Sequence, residues 1–430
     1  MTTGPINEEK KPASFLRTGL PFFIMAHAAH HFLMALQQPL FPTIRNYFNI
    51  KTYEEASFIP VSFALSSATG QLPGGWLADR FGPTFLIMVG TLGVAVAGIA
   101  VGLSQNFVMF IAFLMLMGLL SGGYHPAATP LISASVDPRL RGRALGLHLV
   151  GGNSAFFVTP IIAAGIVAAF GSDWGWRLSF LILAIPTVVF GFVFLWYLTK
   201  RGGRTHVESI RRSIPDMKPP QPGYKRRLIA FLTLMVVGGG LTMSVMPFLT
   251  LYMTDELHVP EAVAGGLMSI VFSSGLWAGP VGGWISDKIG SVKVIIATGI
   301  IGAALLFGFK YVSYGFSLYA LLWLQGLNQA VRMPVTEVFI MSQAPGKHRS
   351  KIFGIYYSTM QWTGAIFAYP GGVLLDRYGF DTMFTWAAIG VGATAIITAF
   401  FILDAKDHYN AEMEAEKAAI EQAHKDAGTK

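Results

Sequence analysis

Polar side chains that can hold protons or ligands recur inside long apolar stretches of this chain. The first such stretch carries His27, His30, His31, Gln37 and Gln38, which at helical periodicity fall within about 120° of one helix face. Imidazole changes charge near neutral pH and is also a common ligand of divalent metals. His27 and His31, four residues apart, are therefore candidates for proton transfer and, alternatively, for metal binding.

A second polar stripe lies in a later stretch. Gln325, Asn328, Gln329, Arg332 and Thr336 share about 100° of a helix face. Arg332 is the one basic residue that we place away from the ends of an apolar stretch, and a guanidinium there can hold a phosphate, phosphonate or carboxylate. Polar side chains face lipid only at high cost. Both stripes are therefore predicted to line a central aqueous cavity.

Other polar residues of the apolar stretches are predicted to join this site. Glu337 is the acidic residue that we place deepest in a stretch, and it is a proton-coupling candidate beside His27 and His31. For an isolated residue such as His148, a hydrogen bond between helices is the simpler interpretation. The predicted cavity set is His27, His30, His31, Gln38, Tyr124, His125, His148, Gln325, Asn328, Gln329, Arg332, Tyr356, Gln361 and Trp362.

The composition requires lipid around these stretches. Hydrophobic residues make up 53% of the 430 residues and charged residues 13%, whereas a soluble domain carries about 25% charged residues. This excludes a soluble enzyme. The absence of cysteine excludes disulfides, thiolate metal sites and Fe–S clusters. The sequence has no phosphate-binding loop of an ATP-driven pump, and no cofactor is expected.

Twelve stretches are long enough to cross a bilayer, which takes about 20 residues each. The sequence thus predicts an all-α integral membrane protein with twelve transmembrane helices. They cover residues 20–43, 56–77, 83–103, 107–132, 144–170, 177–198, 228–252, 262–285, 291–312, 316–341, 352–375 and 382–403.

The distribution of Lys and Arg predicts the orientation. With the N-terminus inside, 25 of the 31 basic residues fall in inner segments and five in outer ones. This asymmetry places both termini in the cytoplasm and explains the formal charge of +8 without nucleic acid. The first stretch is longer than a signal-peptide core, and we expect it to remain uncleaved.

The chain contains an internal repeat with an offset of 208 residues. The segment from Gly74 to Gly82 matches the segment from Gly282 to Gly290, and the same offset pairs Gly118 with Gly326. A third similar segment runs from Gly371 to Gly379. A tandem duplication of six spans predicts two six-helix bundles in the same orientation.

This repeat gives the predicted domain organisation. The parts are a cytoplasmic N-terminus (1–19), a first six-helix bundle (20–198), a Pro-containing basic linker (199–227), a second bundle (228–403) and a cytoplasmic tail (404–430).

These features resemble the major facilitator superfamily over residues 18–403. The signature that this family carries between its second and third spans is matched by Gly75, Asp79, Arg80 and Gly82, although Pro83 and Thr84 stand where the family usually has basic residues. The runs Tyr124–Pro126, Arg141–Arg143 and Gly151–Asn153 are similar to the fosmidomycin-resistance branch of drug exporters. A weaker resemblance is to magnetosome-associated facilitators proposed to move iron.

The signature segments are candidates for gating. The Asp79 carboxylate can cap a helix N-terminus or pair with Arg141 or Arg143 in one conformation only. The alternative is that these charges only set the membrane topology. The predicted gating residues are Gly75, Asp79, Arg80, Gly82, Arg141, Arg143, Gly283, Asp287, Lys288 and Arg349.

The resemblance implies a secondary active transporter of the plasma (inner) membrane that works by alternating access as a monomer. The expected substrate is a small organic anion or drug, with proton coupling. Transport of iron or another divalent metal through His27 and His31 is an alternative, and a non-transporting scaffold or receptor is another. An enzyme is not expected, and the expected partners are the substrate, protons and the bilayer.

Overall fold

A computed structural model describes residues 19–135, 141–200, 222–343 and 349–405. These residues form helices and connecting turns, with no strand among them. The predicted N-terminal segment, most of the linker and most of the tail lie outside the described residues. We refer to residues 19–200 as the first half and to residues 222–405 as the second half.

The first half contains ten α-helices among the described residues, and the first of them carries His27, His30 and His31. In chain order its α-helices are α1 Leu20–Phe32, α2 Phe41–Tyr47, α3 Tyr53–Ala56, α4 Phe58–Gln71, α5 Gly74–Phe81, α6 Pro83–Met88, α7 Val94–Gly102, α8 Phe107–Ser121, α9 Tyr124–Ser135 and α10 Arg141–Lys200. A π-helical turn, Val89–Gly93, joins α6 to α7.

The second half has the same kind of helical architecture. Its α-helices are α11 Tyr224–Thr233, α12 Gly239–Val245, α13 Leu249–Asp255, α14 Glu261–Ser273, α15 Ala278–Ile289, α16 Ser291–Gly308, α17 Phe316–Gln343 and α18 Arg349–Ile402. Another π-helical turn, Leu234–Gly238, joins α11 to α12.

The two longest helices are each interrupted by a glycine. Helix α10 contains 60 residues, and α18 contains 54. At a rise of about 1.5 Å per residue, either would be more than twice as long as a bilayer core is thick. The backbone leaves the helical region at Gly171 (φ 73°, ψ 167°) and at Gly379 (φ 72°, ψ 175°). This conformation is available to glycine without strain, so each helix changes direction there.

The apolar character of the helices agrees with a membrane protein. Six helical segments of the described chain are long and apolar enough to cross a membrane, or seven if a pair bent by 45°, Glu261–Leu276 and Ala278–Ile289, counts as one crossing. By this criterion the predicted number of twelve is not reached.

The repeat of 208 residues recurs in the backbone. Gly82 (φ 88°) and Gly290 (φ 94°) end α5 and α15 in nearly the same conformation, just as Gly171 and Gly379 match each other. A Cβ on Gly326 would lie 1.9 Å from the carbonyl oxygen of Val271. At the equivalent Gly118, a Cβ would lie 2.7 Å from the carbonyl oxygen of Phe63. Each glycine thus lets two helices approach closely in its half.

Three hydrophobic cores show how the halves meet. One core draws on both halves and includes Leu40 and Phe41 beside Phe248 and Leu249. A second core, around Phe23 and Tyr124, contains only first-half residues. A third core contains only second-half residues, among them Phe231, Val335 and Phe339. The halves therefore share one apolar interior towards one end of the molecule and have separate interiors towards the other.

We expect Gly326→Ala to destabilise the protein by about 1–3 kcal/mol, because the added methyl group must push α14 and α17 apart. The measurement is the apparent melting temperature of the purified protein in detergent. Gly279→Ala is the matched control, since a Cβ there has no neighbour within 4 Å and alanine favours the helix. Equal melting temperatures for the two variants would contradict this packing.

Candidate functional site

Charged side chains join the halves at one end of the molecule. Arg45 of the first half forms an ion pair with Asp255 of the second. The Tyr53 hydroxyl donates to the same carboxylate at 2.7 Å, and the Arg45 guanidinium lies 4.7 Å from the Tyr53 ring centroid. Burial and the hydrogen bond to Asp255 raise the pKa of Tyr53 well above its usual value. The phenol therefore stays protonated and remains a donor at physiological pH.

Asp376 makes a second connection at the same end. Its two carboxylate oxygens accept hydrogen bonds from the backbone amides of Tyr53 (2.8 Å) and Glu54 (2.7 Å). These amides stand at the start of α3, where backbone N–H groups lack partners within the helix. A carboxylate is stabilised there by the hydrogen bonds and by the positive end of the helix dipole. The second half thus caps a helix of the first half.

Further hydrogen bonds surround these two carboxylates. The Asn46 amide (2.6 Å) and the Ser172 hydroxyl (2.9 Å) both donate to Glu261. The Tyr369 hydroxyl donates to Glu54 at 2.6 Å. All three contacts cross between the halves. We call this region, defined by Arg45, Asn46, Tyr53, Glu54, Ser172, Asp255, Glu261, Tyr369 and Asp376, the closed end.

A cavity of about 680 Å³ separates the halves on the other side. First-half residues Gln71, Leu72 and Pro126 face second-half residues of α18 across it. Trp362, a predicted cavity residue, lies in this wall. The second-half lining is Val236, Ile355, Ser358, Thr359, Trp362, Thr363 and Ile366. We call this side, towards which α5 with Arg80 and α15 with Lys288 end, the open end.

Five histidines form a compact cluster in the first half. Helix α1 contributes His27, His30 and His31, the start of α9 contributes His125, and α10 contributes His148. The His27 and His148 rings stack with centroids 4.0 Å apart, and the two Nε2 atoms of His27 and His31 are 3.0 Å apart. His27, His30 and His148 are buried, whereas His31 and His125 are partly exposed.

Backbone carbonyls and glycines hold these rings in place. The carbonyl oxygen of His148 lies 2.7 Å from Nδ1 of His27, and that of Gly90 lies 2.6 Å from Nδ1 of His30. A Cβ on Gly152 would lie 2.6 Å from the His27 ring, and one on Gly90 would lie 2.8 Å from Cβ of Tyr124. Both glycines therefore leave room that these aromatic side chains occupy.

The cluster lies beside the interface between the halves. The Tyr124 ring stacks on His30 with centroids 4.3 Å apart, and Phe156 contacts His31 at 5.1 Å. The Phe156 ring in turn packs against the ring of Phe272 of the second half, with centroids 5.3 Å apart. Pro126, which follows His125 directly, lines the cavity. The predicted histidine stripe thus gathers with His125 and His148 into one site near the cavity.

The second-half stripe is partly used for packing. Asn328 donates to the Thr298 carbonyl at 3.0 Å, and the buried amide of Gln325 lies 3.8 Å from the Met246 sulfur. From the first half, Gln38 donates to the Met246 carbonyl at 2.7 Å. These contacts connect neighbouring helices. Asn328, Gln325 and Gln38 therefore contribute to helix packing, which is the simpler alternative to lining a cavity. Gln329 is exposed and Gln361 is partly buried.

Arg332 is partly buried and lies close to α16. Its Nη1 atom is 3.7 Å from the position that a Cβ on Gly299 would take. Among the described side chains and backbone, Arg332 donates no hydrogen bond. Tyr356, whose hydroxyl lies 3.1 Å from Oγ1 of Thr336, is within electrostatic range of both Arg332 and Glu337.

Several predicted gating residues can be located at the open end. Arg80 lies 5.3 Å from the ring centroid of Trp76, and Lys288 lies 3.9 Å from that of Trp284, again at an offset of 208. Gly82 and Gly290 have the positive φ described above, and Asp287 is exposed. The side chains of Asp79, Arg141, Arg143 and Arg349 lie outside the described part of the structure.

No local sequence pattern identifies the closed end. Asp376 belongs to the third signature-like segment, Gly371–Gly379, but its partners Tyr53 and Glu54 are more than 300 residues away along the chain. Arg45 and Asp255 likewise lie in short outer segments far apart in sequence. The recurrence of the signature was the one available signal, and it does not reveal a partner.

A model of the major facilitator superfamily matches the chain twice, over residues 23–243 and 228–427. The chain belongs to the major facilitator superfamily. The resemblance inferred from the signature segments is thereby confirmed. As a major facilitator protein it is a multi-pass membrane transporter and not an enzyme.

Curated relatives and solved structures agree with this membership. The chain is 28% identical to the multidrug resistance protein MdtG of Citrobacter koseri over 337 residues, which cover 75% of this chain and 79% of the relative. MdtG of Escherichia coli strain 55989 is 27% identical over an alignment that covers 75% of this chain and 78% of the relative. The fold is similar to the inward-open xylose transporter XylE from E. coli, with a TM-score of 0.72, 14% identity and coverage of 93% and 99%. The nucleoside transporter NupG gives a TM-score of 0.70 at 12% identity, covering 89% and 99%.

We expect Asp376→Ala to open the closed end by removing an exposed carboxylate that binds the α3 amides, an interaction worth about 0.3–1 kcal/mol. Ser57 is fully buried and lies against Gly372. Because the chain has no cysteine, Ser57→Cys provides a single labelling site. Its reaction with a membrane-impermeant maleimide should accelerate several-fold in the Asp376→Ala background.

Asp381→Ala is the control for this experiment, since Asp381 is an exposed carboxylate on the same helix. Equal labelling rates in the Asp376→Ala and Asp381→Ala backgrounds would show that Asp376 does not hold the halves together.

Proposed function

We propose that this chain is a secondary transporter that moves a small solute by alternating access, and that the structure represents one of its end states. The observation that carries this proposal is the unequal contact between the halves. They share hydrogen bonds and an apolar core at the closed end, whereas a cavity lies between them towards the open end. A transporter that rocks two bundles about a central site must form one such set of contacts as it breaks the other.

We also propose that the protein crosses the membrane twelve times, with two six-helix bundles (20–198 and 228–403) joined by a cytoplasmic linker. Supporting this, the breaks at Gly171 and Gly379 divide α10 and α18 into segments of bilayer length. Helices α1 and α4, with 13 and 14 residues, are each too short to cross a bilayer alone, although both belong to longer apolar stretches. The basic-residue asymmetry supports an orientation in which the open end faces the cytoplasm, across the inner (plasma) membrane.

We propose an organic anion, or a drug that carries an anionic group, as the solute. Arg332 supports this because it is a permanent cation within an apolar helix and binds no described partner. The matching position of the first half is Tyr124, so the positive charge exists on one side only. MdtG, to which this chain is similar, is named as a multidrug resistance protein.

Coupling to protons is the remaining part of the proposal. A chain without a nucleotide-binding loop needs an ion gradient to concentrate its solute. Glu337 lies on α17 five residues after Arg332. Tyr356 of α18 interacts electrostatically with both side chains. A carboxyl group so placed can exchange a proton in step with the arrival of an anion at Arg332.

Substitution of Arg332 tests the choice of solute. With a phosphonate drug such as fosmidomycin as the probe, we expect ligand-induced thermal stabilisation in the wild type. Arg332→Lys should weaken binding, because the planar fork is lost. Arg332→Gln should weaken it further, by about tenfold or more, because a hydrogen bond to a charged group contributes about 1.5–3 kcal/mol.

The control for charge alone is Arg377→Gln, which removes an exposed cation outside the predicted spans. If Arg332→Gln binds the phosphonate as tightly as Arg377→Gln, or if the wild type gives no thermal shift with any carboxylate or phosphonate drug, the anion proposal is wrong.

A second test addresses proton coupling. In proteoliposomes, an imposed pH gradient should change the wild-type flux of the phosphonate probe several-fold, and Glu337→Gln should make the flux insensitive to the gradient. Glu55→Gln, the same change at an exposed position, should behave like the wild type. A wild-type flux that ignores gradients of both signs would overturn the coupling.

A further inference from the structure

The histidine cluster has a geometry that the proposed anion transport does not require. The ligand atoms of His27, His31 and His125 all lie within 4.8 Å of one another. Two of these residues come from one face of α1 and the third from the start of α9, so two helices present nitrogens to one point. Helix packing would be satisfied equally well by apolar residues.

We propose that His27, His31 and His125 form a binding site for a divalent transition metal ion such as Zn²⁺, Co²⁺ or Fe²⁺. Neutral imidazole nitrogen is a preferred ligand of these ions. Three histidines with an open fourth position also form a recurrent metal site, in which water or an anion completes the tetrahedron.

The distances fit such a site. Metal–nitrogen bonds of about 2.0–2.1 Å place two ligand nitrogens about 3.3 Å apart in a tetrahedral site. The Nε2 atoms of His27 and His31 are 3.0 Å apart. The nitrogen of His125 must approach by about 1.5 Å at most. His125 is partly exposed, and the proposed site requires its ring to rotate towards the pair.

The surroundings also orient the ligands. Nδ1 of His27 lies 2.7 Å from the His148 carbonyl oxygen, which makes Nδ1 the protonated nitrogen and leaves the Nε2 lone pair directed at His31. A metal-binding histidine usually donates its other nitrogen to a carbonyl or carboxylate in this way. Stacking of His148 on His27 at 4.0 Å fixes the plane of the ring.

The alternative occupant of the same space is a proton. Nε2 of His31 can donate to Nε2 of His27 in a simple hydrogen bond. That arrangement involves His27 and His31 only and gives no part to His125, although a ring nitrogen of His125 lies within 4.8 Å of the ligand nitrogens of the pair. A metal gives all three nitrogens a common partner.

Cobalt titration of the full-length protein tests the site. The protein is purified with a tag that contains no histidine, stripped with EDTA and titrated with Co²⁺, whose visible absorption is strong in tetrahedral nitrogen coordination. We expect saturation near one ion per chain and displacement by Zn²⁺. His31→Gln and His125→Gln should each weaken binding at least about tenfold, as loss of even an outer partner typically costs that much.

His258→Asn is the matched control, since His258 is an exposed histidine far from the cluster in sequence, and it should titrate like the wild type. The melting temperature of each variant without metal verifies folding. Absence of the tetrahedral spectrum in the wild type, or binding that persists in His31→Gln and His125→Gln, would overturn the site. Because the titration needs no solute and no gradient, its failure leaves the proposed transport of an anion intact.

Discussion

The halves of this transporter are joined by carboxylates whose partners lie on the opposite half. Asp376 binds the first amides of α3, and Asp255 binds Arg45 and Tyr53. Each contact is polar, partly exposed to solvent and individually weak. Such contacts can break at little cost, and they surround an apolar core that the two halves share at the same end. The conformation of the whole molecule depends on this balance.

Away from the closed end, each half has a hydrophobic core of its own. At the open end each half keeps its own apolar core, so the cavity between them exposes no core of either half. Within each half, glycines such as Gly118 and Gly326 hold helices at close approach. In the proposed alternating access, each closely packed bundle moves as one rigid body.

The functional groups are divided unequally between these halves. The first half holds the imidazole cluster with Tyr124 at its centre, and the second holds Arg332 at the equivalent position. Gene duplication explains the matching backbone, for which Gly82 and Gly290 give an example. The side chains at these equivalent positions differ, as the proposed binding of one asymmetric ligand between the halves would require.

The sequence predicted the features that depend on short-range spacing. The family, the recurrence of the signature segments and the gathering of His27, His30 and His31 on one helix face all follow from local patterns. His125 and His148 were predicted only as possible members of the site, because their approach depends on packing between helices. Asp376 was missed, since no local pattern identifies a partner more than 300 residues away. The twelve crossings stay a prediction, because kinks shorten several helices below bilayer length.

The most direct test of alternating access is a pair of distance measurements by pulsed electron paramagnetic resonance in lipid nanodiscs. One double-cysteine variant, Lys51→Cys with Glu256→Cys, carries spin labels across the closed end, and another, Phe81→Cys with Ile289→Cys, carries them across the open end. We expect that adding Asp376→Ala lengthens the first distance and shortens the second. In the Asp376→Ala background, each double-cysteine variant should show two distance populations. Distances that stay single and unchanged at both ends, or that lengthen together, would contradict it.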